Sequence, residues 1–278
     1  MTTVGLISPG AMGASVGAAA AHTGTTVVWA SIGRSLSTRE RARESGLQDC
    51  GTLQNLVTTC EIILSVCPPH NASDVADEVA ALGFSGIYLD ANAIAPDVTR
   101  EIGLTITRRG ARFVDGGIIG GPAWKAESGT QLYLSGKDAR VIADIFEDSS
   151  LHASVISEHI GAASALKMTF AAYTKGSTAL LSAILAVAEK EGVRAHLERQ
   201  WGDEFTRITH QRVTTNTAKA WRFEGEMREI AATFSGAGLP GDFHEAAAQI
   251  FADLSKFKDR DETPGIEEVI AALLKPSS

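Results

Sequence analysis

The first half of the chain alternates short apolar runs with amphipathic or charged stretches. The apolar runs predict β-strands over residues 3–7, 26–30, 61–66, 87–90, 112–115 and 131–134. The stretches between them predict helices over residues 11–22, 37–45, 72–82 and 97–109. Because strands alternate with helices and most strands are apolar throughout, we expect an α/β domain with a mostly parallel sheet covered on both faces.

The second half carries only a helical pattern. Residues 161–190 contain no proline, and their apolar positions predict one long helix, or two nearly collinear helices that meet near Gly176. Further helices are predicted over residues 197–210, 217–235, 245–258 and 264–274, with a glycine-rich breaker at 236–241. The sequence thus predicts an α/β domain over residues 1–158 and an all-α domain over residues 159–278.

Composition and charge exclude several classes of function. The 278 residues include 25 Lys and Arg against 33 Asp and Glu, a net charge of −8, and nucleic-acid binding needs clustered cations instead. The apolar runs 62–67 and 179–188 are shorter than the ~20 residues that span a bilayer, so no membrane segment is predicted. Cys50, Cys60 and Cys67 lack a metal-type spacing and indicate reduced thiols in a cytoplasmic protein.

A glycine-rich turn joins the first predicted strand to the first predicted helix. It resembles the G-x-G-x-x-G dinucleotide turn, with Ser8 in place of the first glycine. A glycine at the second position lets a pyrophosphate approach the backbone, and the N–H groups of the first helical turn attract its charge. An ordinary structural turn is the alternative. The position of the turn favours a Rossmann-type dinucleotide site formed by Pro9, Gly10, Ala11, Met12 and Gly13.

The residues after the second predicted strand favour NADP(H) over NAD(H). An NAD site usually has an acidic residue about 20 positions after the turn, to bind the ribose 2′-hydroxyl. Residues 30–35 contain no carboxylate. Ser31, Arg34 and Ser35 are instead predicted to bind a 2′-phosphate, with Arg39 as a further cation.

Two other arginines of the following helix have a simpler interpretation. Arg41 and Arg43 alternate with Glu40 and Glu44, a pattern typical of a solvent-exposed helix face. We therefore expect Arg41 and Arg43 to be solvated.

Four segments together resemble the β-hydroxyacid dehydrogenase superfamily, which includes 3-hydroxyisobutyrate dehydrogenase, 6-phosphogluconate dehydrogenase and the imine reductases. In chain order they are residues 10–13 (GAMG), 90–96 (DANAIAP), 115–122 (DGGIIGGP) and 161–167 (GAASALK). Residues 174–176 and 226–231 resemble a poorly characterised branch with a C-terminal domain of unknown function. The resemblance covers nearly the whole chain and implies homodimers joined through the helical domain.

The resemblance implies roles for individual residues. Lys167 matches the catalytic lysine of the family, six residues after a glycine. Asn92 falls in a loop near nicotinamide and substrate, where the family usually has a serine. The backbone N–H groups of Gly120 and Gly121 would bind the acid group of the substrate. The loop that passes the cofactor ribose would contain Cys67, Pro68 and Pro69.

Three positions depart from the family pattern. Ile119 replaces the substrate-binding serine, and Phe170 and Ala171 stand where the family usually has an asparagine, three or four residues after the lysine. Thr174, which shares the helix face of Lys167 and is a candidate substrate contact, replaces the acid of 6-phosphogluconate dehydrogenase. These differences argue against 6-phosphogluconate as the substrate, but they leave the reaction type intact.

Lys167 carries the proposed chemistry. It lies in an apolar helical stretch, where it either extends along the surface or acts as a general acid and base in a desolvated site. With the resemblance, the sequence predicts an NADP(H)-dependent oxidoreductase acting on a carbonyl or hydroxyl carbon of a small, acidic substrate in the cleft between the domains. An imine reductase and a non-catalytic NADPH-binding sensor are the alternatives.

Other polar residues of the second half have less specific interpretations. Lys175 could bind an anionic substrate or be solvated, and Glu226 is expected to be a surface acid. His244 could line the cleft or be structural. Residues 179–188, in the second half of the long predicted helix, are apolar on most of the helix circumference, so a second copy of the chain is expected to cover them, in a homodimer.

Overall fold

The computed structural model describes residues 2–22, 24–258, 260 and 262–275. The chain divides into two compact units, Met1–Lys167 and Met168–Ser278. The predicted boundary at 158/159 lies before this division. The reason is that the start of the helix α7 (Ala162–Ala171) is held by Asp115 of the first unit, through the N–H groups of Ala163 and Ser164.

The first unit contains one eight-stranded sheet. Its strands are β1 (Thr3–Ile7), β2 (Thr26–Trp29), β3 (Gln48–Asp49), β4 (Ile62–Ser65), β5 (Ile87–Asp90), β6 (Arg112–Ile119), β7 (Gln131–Ser135) and β8 (His152–Ser157). Their order is β3-β2-β1-β4-β5-β6-β7-β8. The strands from β3 to β6 are parallel, β7 is antiparallel to β6, and β8 is parallel to β7. The predicted α/β fold with a mostly parallel sheet is confirmed.

Helices connect these strands and cover the sheet. They are α1 (Ala11–His22), α2 (Leu36–Glu44), α3 (Leu53–Thr59), α4 (Ala72–Ala81), α5 (Pro96–Arg108) and α6 (Ala139–Ile145). Successive residues of one strand enter different cores: Leu6 belongs to one buried cluster and Ile7 to the other. This alternation explains the uninterrupted apolar runs, because both faces of each central strand are buried.

Four short elements of this unit were not predicted from the sequence. They are β3, α3, α6 and β8. β3 has only two residues, and the edge strand β8 is largely exposed, so neither has the apolar run that identifies a central strand.

The second unit is helical, as predicted. After α7 the chain forms a π-helical turn (Ala172–Gly176), followed by α8 (Ser177–Lys190), α9 (Arg194–Trp201), α10 (Asp203–Thr217), α11 (Ala220–Gly236), α12 (Asp242–Asp253) and α13 (Ile266–Leu274). The expected junction near Gly176 is the end of the π-helical turn. The single helix predicted over 197–210 is wrong, because Gly202, with φ +80°, separates α9 from α10.

The π-helical turn is held by one arginine. Arg212 of α10 donates hydrogen bonds to the Thr174 carbonyl (2.6 Å), Ser177 Oγ (2.6 Å) and Thr178 Oγ1 (2.8 Å). A π turn interrupts the regular helical hydrogen-bond ladder. Arg212 supplies donors at that interruption and ties α10 to the start of α8.

The helical region Ala162–Lys190 is, within the described part of the chain, the one stretch whose length and composition would allow a membrane crossing. The absence of a membrane segment stays a prediction. The core helix of a globular domain has the same properties, and α8 packs against α10, α12 and α13 of its own unit.

The three cysteines are free thiols. Burial raises the pKa of Cys60 to about 12 and that of Cys67 to about 11. Both thiols are therefore protonated at neutral pH. The cytoplasmic location that the cysteine content suggested stays a prediction.

Candidate cofactor and active site

The glycine-rich turn lies where the order of the strands reverses. β1 is flanked by β2 and β4, and dinucleotides bind at the carboxyl ends of strands at such a switch point. Ser8 has φ +63°, a left-handed conformation that glycine adopts easily, and its carbonyl accepts the Gly10 N–H at 2.7 Å. Ser8 thus adopts the backbone conformation of the glycine it replaces.

The two glycines of the turn have different surroundings. A Cβ atom added to Gly13 would lie 2.4 Å from the Ser8 carbonyl oxygen, so the contact between α1 and the turn requires glycine there. Gly10 is exposed, and its added Cβ would meet only the Ser8 oxygen, at 4.0 Å. The open side of Gly10 and the N-terminus of α1 together fit a pyrophosphate.

Arg41 is part of this region, contrary to the prediction of a solvated side chain. It is half-buried on α2, and its Nη1 donates to the Pro9 carbonyl at 3.3 Å. The prediction failed because α2 packs against α1, so Arg41 lies beside the glycine-rich turn. Arg43 is exposed, as expected.

A cavity of about 310 Å³ opens beside the ends of β1 and β2. Its walls combine aliphatic side chains with two charged residues, and Arg34 follows Gly33 in the exposed loop after β2. The lining residues of this loop and of α4 include Ile32, Gly33, Arg34, Val75 and Glu78. The cavity places Arg34 at the expected ribose end of a dinucleotide site.

The neighbours of Arg34 differ from the expectation. Ser31 is buried, and its side-chain hydrogen bond is the main factor that lowers the pKa of Asp49; the Gly51 N–H and the charge of Arg39 lower it further. Pairing of β2 with β3 brings this carboxylate beside Ser31, although it is distant in the sequence. Residues 30–35 themselves contain no carboxylate, so this neighbour could not be predicted from the local sequence.

Ser35 has a local task at the start of α2. Its hydroxyl accepts the Thr38 N–H at 3.3 Å and so caps the helix. Of the three predicted 2′-phosphate ligands, Arg34 is the exposed cation.

Asn92 joins the loops after β4 and β5. Its Oδ1 accepts the Cys67 N–H at 2.6 Å, and its Nδ2 donates to Ser65 Oγ (3.2 Å) and Asp90 Oδ2 (3.0 Å). The residue is 3% exposed. Its amide thus holds the loop of Cys67, Pro68 and Pro69 in place. The role toward nicotinamide and substrate that the resemblance implied for Asn92 stays a prediction.

A row of buried polar residues crosses the sheet beneath this site. Ser65, Asp90, Asp115 and Ser135 are paired in register on β4, β5, β6 and β7, and all are nearly fully buried. Burial raises the pKa of Asp90 to about 7; hydrogen bonds from Asn92 oppose this shift, and the adjacent charge of Asp115 adds to it. No role for Asp90 or Asp115 could be predicted from the sequence, because strand register is a property of the fold.

Lys167 lies against β6. A Cβ atom added to Gly117 would be 2.5 Å from the Ala163 carbonyl oxygen and 3.0 Å from Lys167 Cβ. The strand and α7 are therefore in direct contact at Lys167, which is half-buried.

The glycine pair lies just beyond the end of the same strand. Gly120 has φ +133°, and an added Cβ there would meet Thr130 Oγ1 at 2.8 Å. Thr130 Oγ1 also donates to the Gly121 carbonyl at 2.7 Å. Gly120 and Gly121 are exposed, so β6 presents an open glycine backbone in the same unit as Lys167.

Two candidate residues of the second unit form an ion pair. Lys175 Nζ lies 2.5 Å from Glu226 Oε2, and the side chains are 13% and 12% exposed. The expectations of a solvated lysine and of a surface acid are therefore wrong, whereas binding of an anionic substrate by Lys175 stays a prediction. The two charges neutralise each other in a largely buried position.

The other two candidates of this unit make local contacts. The Thr174 hydroxyl donates to the Phe170 carbonyl at 3.2 Å. His244 is buried with its ring centroid 4.3 Å from that of Phe234, and burial lowers its pKa. These contacts support the structural interpretation of His244. Among the described residues, no His, Cys, Asp or Glu cluster could hold a metal ion.

Comparisons with known domains cover most of the chain. Residues 3–157 match the NAD binding domain of 6-phosphogluconate dehydrogenase. Residues 188–254 match a domain of unknown function (DUF1932). The expected dinucleotide-binding domain and the expected C-terminal domain of unknown function are both confirmed.

Several proteins are similar over most of their length. An uncharacterized 28.5 kDa protein from Methanothermus fervidus is 31% identical over 202 residues, 71% of this chain and 77% of that protein. The conserved protein MTH1747, of unknown function and structurally similar to 3-hydroxyacid dehydrogenases, has 27% identity and a TM-score of 0.68, covering 92% of this chain and 97% of that one.

Two enzymes share the fold at lower identity. The 3-hydroxyisobutyrate dehydrogenase of Mycobacterium tuberculosis has 16% identity and a TM-score of 0.71, covering 98% of this chain and 99% of that one. An imine reductase from Myxococcus stipitatus has 17% identity and a TM-score of 0.56, covering 99% and 100%. The domain match extends over more than half of the chain, so this protein belongs to the family that carries the NAD-binding domain of 6-phosphogluconate dehydrogenase.

Proposed function

We propose that this protein is an NADP(H)-dependent oxidoreductase that transfers hydride between nicotinamide and a carbonyl or hydroxyl carbon of a small, acidic substrate. One observation carries the proposal. α7 packs on β6 so closely at Gly117 that Lys167 lies against the strand that leads into the exposed Gly120–Gly121 backbone. This pairing of an amine and an open glycine backbone occurs in the unit that contains the NAD-binding domain.

Cofactor binding would use the region around the glycine-rich turn. The N–H groups at the start of α1 and the open side of Gly10 fit a pyrophosphate. Arg34, exposed at the 310 Å³ cavity, would pair with the 2′-phosphate that distinguishes NADP(H). When bound, the nicotinamide supplies or accepts the hydride.

The chain would supply proton transfer and orientation. In the oxidative direction, neutral Lys167 would accept the proton of the substrate hydroxyl group. In the reductive direction, its ammonium form would donate a proton to the carbonyl oxygen. The N–H groups of Gly120 and Gly121 would hold the acid group of the substrate. Because Ile119 replaces a serine before this pair, we expect a substrate with an apolar group near its acid.

The test is turnover of NADPH with purified protein, followed by nicotinamide absorbance. The substrate panel contains aldehydes, 2- and 3-oxoacids and cyclic imines, each with wild type and with Lys167→Ala. We expect turnover of an oxygen substrate, reduced about 10²–10⁴-fold in Lys167→Ala, because general acid–base catalysis contributes that much. Turnover of imines alone would favour the imine reductase. A Lys167→Ala variant as active as wild type would contradict the proposed role of Lys167.

The proposed active form is a homodimer joined through the helical unit. Leu180 and Val187 of α8 are 45% and 60% exposed, and they lie two turns apart on one face of the helix. An exposed apolar stripe on a long helix favours burial against a second copy. Light scattering at low micromolar concentration should give twice the chain mass of 29.2 kDa. A monomer mass would contradict the dimer.

A further inference from the structure

β6 has two features that face the helix bearing Lys167. Asp115 and Gly117 lie two residues apart on the strand, so both face the same side of the sheet. Asp115 is fully buried, and Gly117 contacts α7 at Ala163 and Lys167. The strand thus contacts α7 at two places, the first turn of the helix and Lys167.

Asp115 acts as the N-terminal cap of α7. The residue before the helix is Gly161, which has no side chain that could cap it. Asp115 Oδ2 accepts the N–H groups of Gly161 (2.9 Å), Ala163 (3.0 Å) and Ser164 (3.2 Å). These are donors that the first turn of a helix leaves without intrahelical partners, and a carboxylate is favoured there by the helix dipole.

Hydroxyl groups fix the rotation of α7 about its axis. Ser164 Oγ donates to Asp115 Oδ1 at 2.6 Å and lies 2.8 Å from Thr99 Oγ1 of α5. On β7, Ser135 Oγ donates to Asp115 Oδ2 at 2.8 Å. Ser164 precedes Lys167 by three residues, so both lie on nearly the same side of the helix, about one turn apart. The direction in which the Lys167 side chain leaves α7 is therefore set by the position of Ser164.

We propose that Asp115 is a positioning residue for Lys167, acting through the capped first turn of α7 and the side chain of Ser164. This inference rests on the proposed function, in which Lys167 transfers the proton. A single strand, β6, then aligns the amine with the glycine pair. Asp115 fixes the position of α7 along β6 and the rotation of the helix about its own axis. Gly117 fixes the distance between α7 and β6, and Gly120 follows directly after the end of the strand.

The test measures the reactivity of Lys167 without a substrate. Folded wild type, Asp115→Asn and Ser164→Ala are acetylated with sulfo-N-hydroxysuccinimidyl acetate, and the rate at each lysine is read by peptide mass spectrometry. Lys125 and Lys137, in the same unit, are internal references. Ile142→Ala is the matched control, because Ile142 is fully buried on α6 and its loss weakens the unit away from α7.

We expect Lys167 to react about fivefold faster in Asp115→Asn, the factor that corresponds to loss of one helix cap, and to react measurably faster in Ser164→Ala. The references should be unchanged, and Ile142→Ala should match wild type at Lys167. An unchanged Lys167 rate in folded Asp115→Asn would overturn the proposal. If Asp115→Asn does not fold, the test rests on Ser164→Ala. An unchanged acetylation rate of Lys167 in that variant would then overturn the proposal.

A kinetic measurement separates positioning from stability. On any substrate identified, folded Asp115→Asn should lower kcat while the dissociation constant for NADPH stays within about twofold, since the loss falls on a transition-state interaction. An unchanged kcat would overturn the proposal. The proposed function fails by a different result, wild-type turnover in Lys167→Ala, whatever the labelling rates.

Discussion

The Arg41 guanidinium donates a hydrogen bond to the carbonyl of Pro9, 3.3 Å away and 32 positions earlier in the chain. This bond ties α2 to the turn that precedes α1. It also brings a positive charge to the region where a pyrophosphate would bind. Both effects concern the part of the cofactor that NADPH and NADH share.

We therefore expect Arg41→Met to weaken NADPH and NADH alike, by about tenfold, as for loss of a hydrogen bond from a charged group. Isothermal titration calorimetry with each cofactor measures this directly. Arg43→Met, an exposed position on the same helix, is the control and should bind like wild type. Unchanged binding of both cofactors in Arg41→Met would show that Arg41 serves only the packing of α2 against the glycine-rich turn.

Arg34 should act on only one cofactor. Its exposed guanidinium lies at the cavity after β2, where a 2′-phosphate is expected. We expect wild type to bind NADPH more tightly than NADH, and Arg34→Ala to weaken NADPH about tenfold or more without changing NADH, because only NADPH has the phosphate. Equal dissociation constants of the two cofactors for wild type would contradict the preference for NADPH. The carboxylate of Asp49 beside Ser31 would then explain why NADPH is not preferred.

Asp90 should make the first unit less stable as the pH rises from about 4 to about 7. Burial raises its pKa to about 7 in the folded state, against an ordinary value of 3.8. Between these values the folded state holds a proton that the unfolded state has lost, so folding stability decreases with rising pH. We expect urea unfolding at pH 5 and pH 7.5 to show this decrease in wild type and a smaller one in Asp90→Asn. Asp77→Asn, at an exposed position of α4, is the control for the substitution itself. A wild-type slope in Asp90→Asn would contradict the assignment.

The Lys175–Glu226 ion pair should stabilise the second unit only as a pair. Removal of one partner, in Glu226→Gln, leaves a largely buried charge uncompensated and should lower the free energy of unfolding by about 3–5 kcal/mol. The double variant Lys175→Met, Glu226→Leu should recover much of that loss, because neither charge then remains. Equilibrium unfolding of wild type, Lys175→Met, Glu226→Leu and the double variant gives the coupling between the two positions. Additive losses would show that the two charges act independently.

Gly117 and Gly121 should respond differently to the same substitution. In Gly117→Ala the new Cβ would lie 2.5 Å from the Ala163 carbonyl oxygen, a backbone atom that cannot move aside alone. We expect a loss of about 1–3 kcal/mol from overpacking, measured by thermal unfolding. Gly121→Ala has open space around the new atom and should unfold near the wild-type temperature. Equal stability of the two variants would contradict the close contact of β6 with α7.

Much of the fold could be predicted from the local pattern of apolar and polar residues. The bounds of β1, α1 and β5 agree with the prediction, because each is bordered by a sharp change from apolar run to turn. The glycine-rich turn was found for the same reason, since its spacing and its place between strand and helix lie within a few residues. The short elements β3 and β8 have no such signal and were missed.

The two-part organisation, the dinucleotide turn and the candidate Lys167 could all be predicted before the structure was known, because they depend on residues close together in the chain. The tertiary structure was needed to show which side chains meet. It brought Arg41 to Pro9, Asp49 to Ser31, Glu226 to Lys175, and Asp115 to the start of α7. Those partners are far apart in sequence, and only strand register and helix packing bring them within hydrogen-bonding distance.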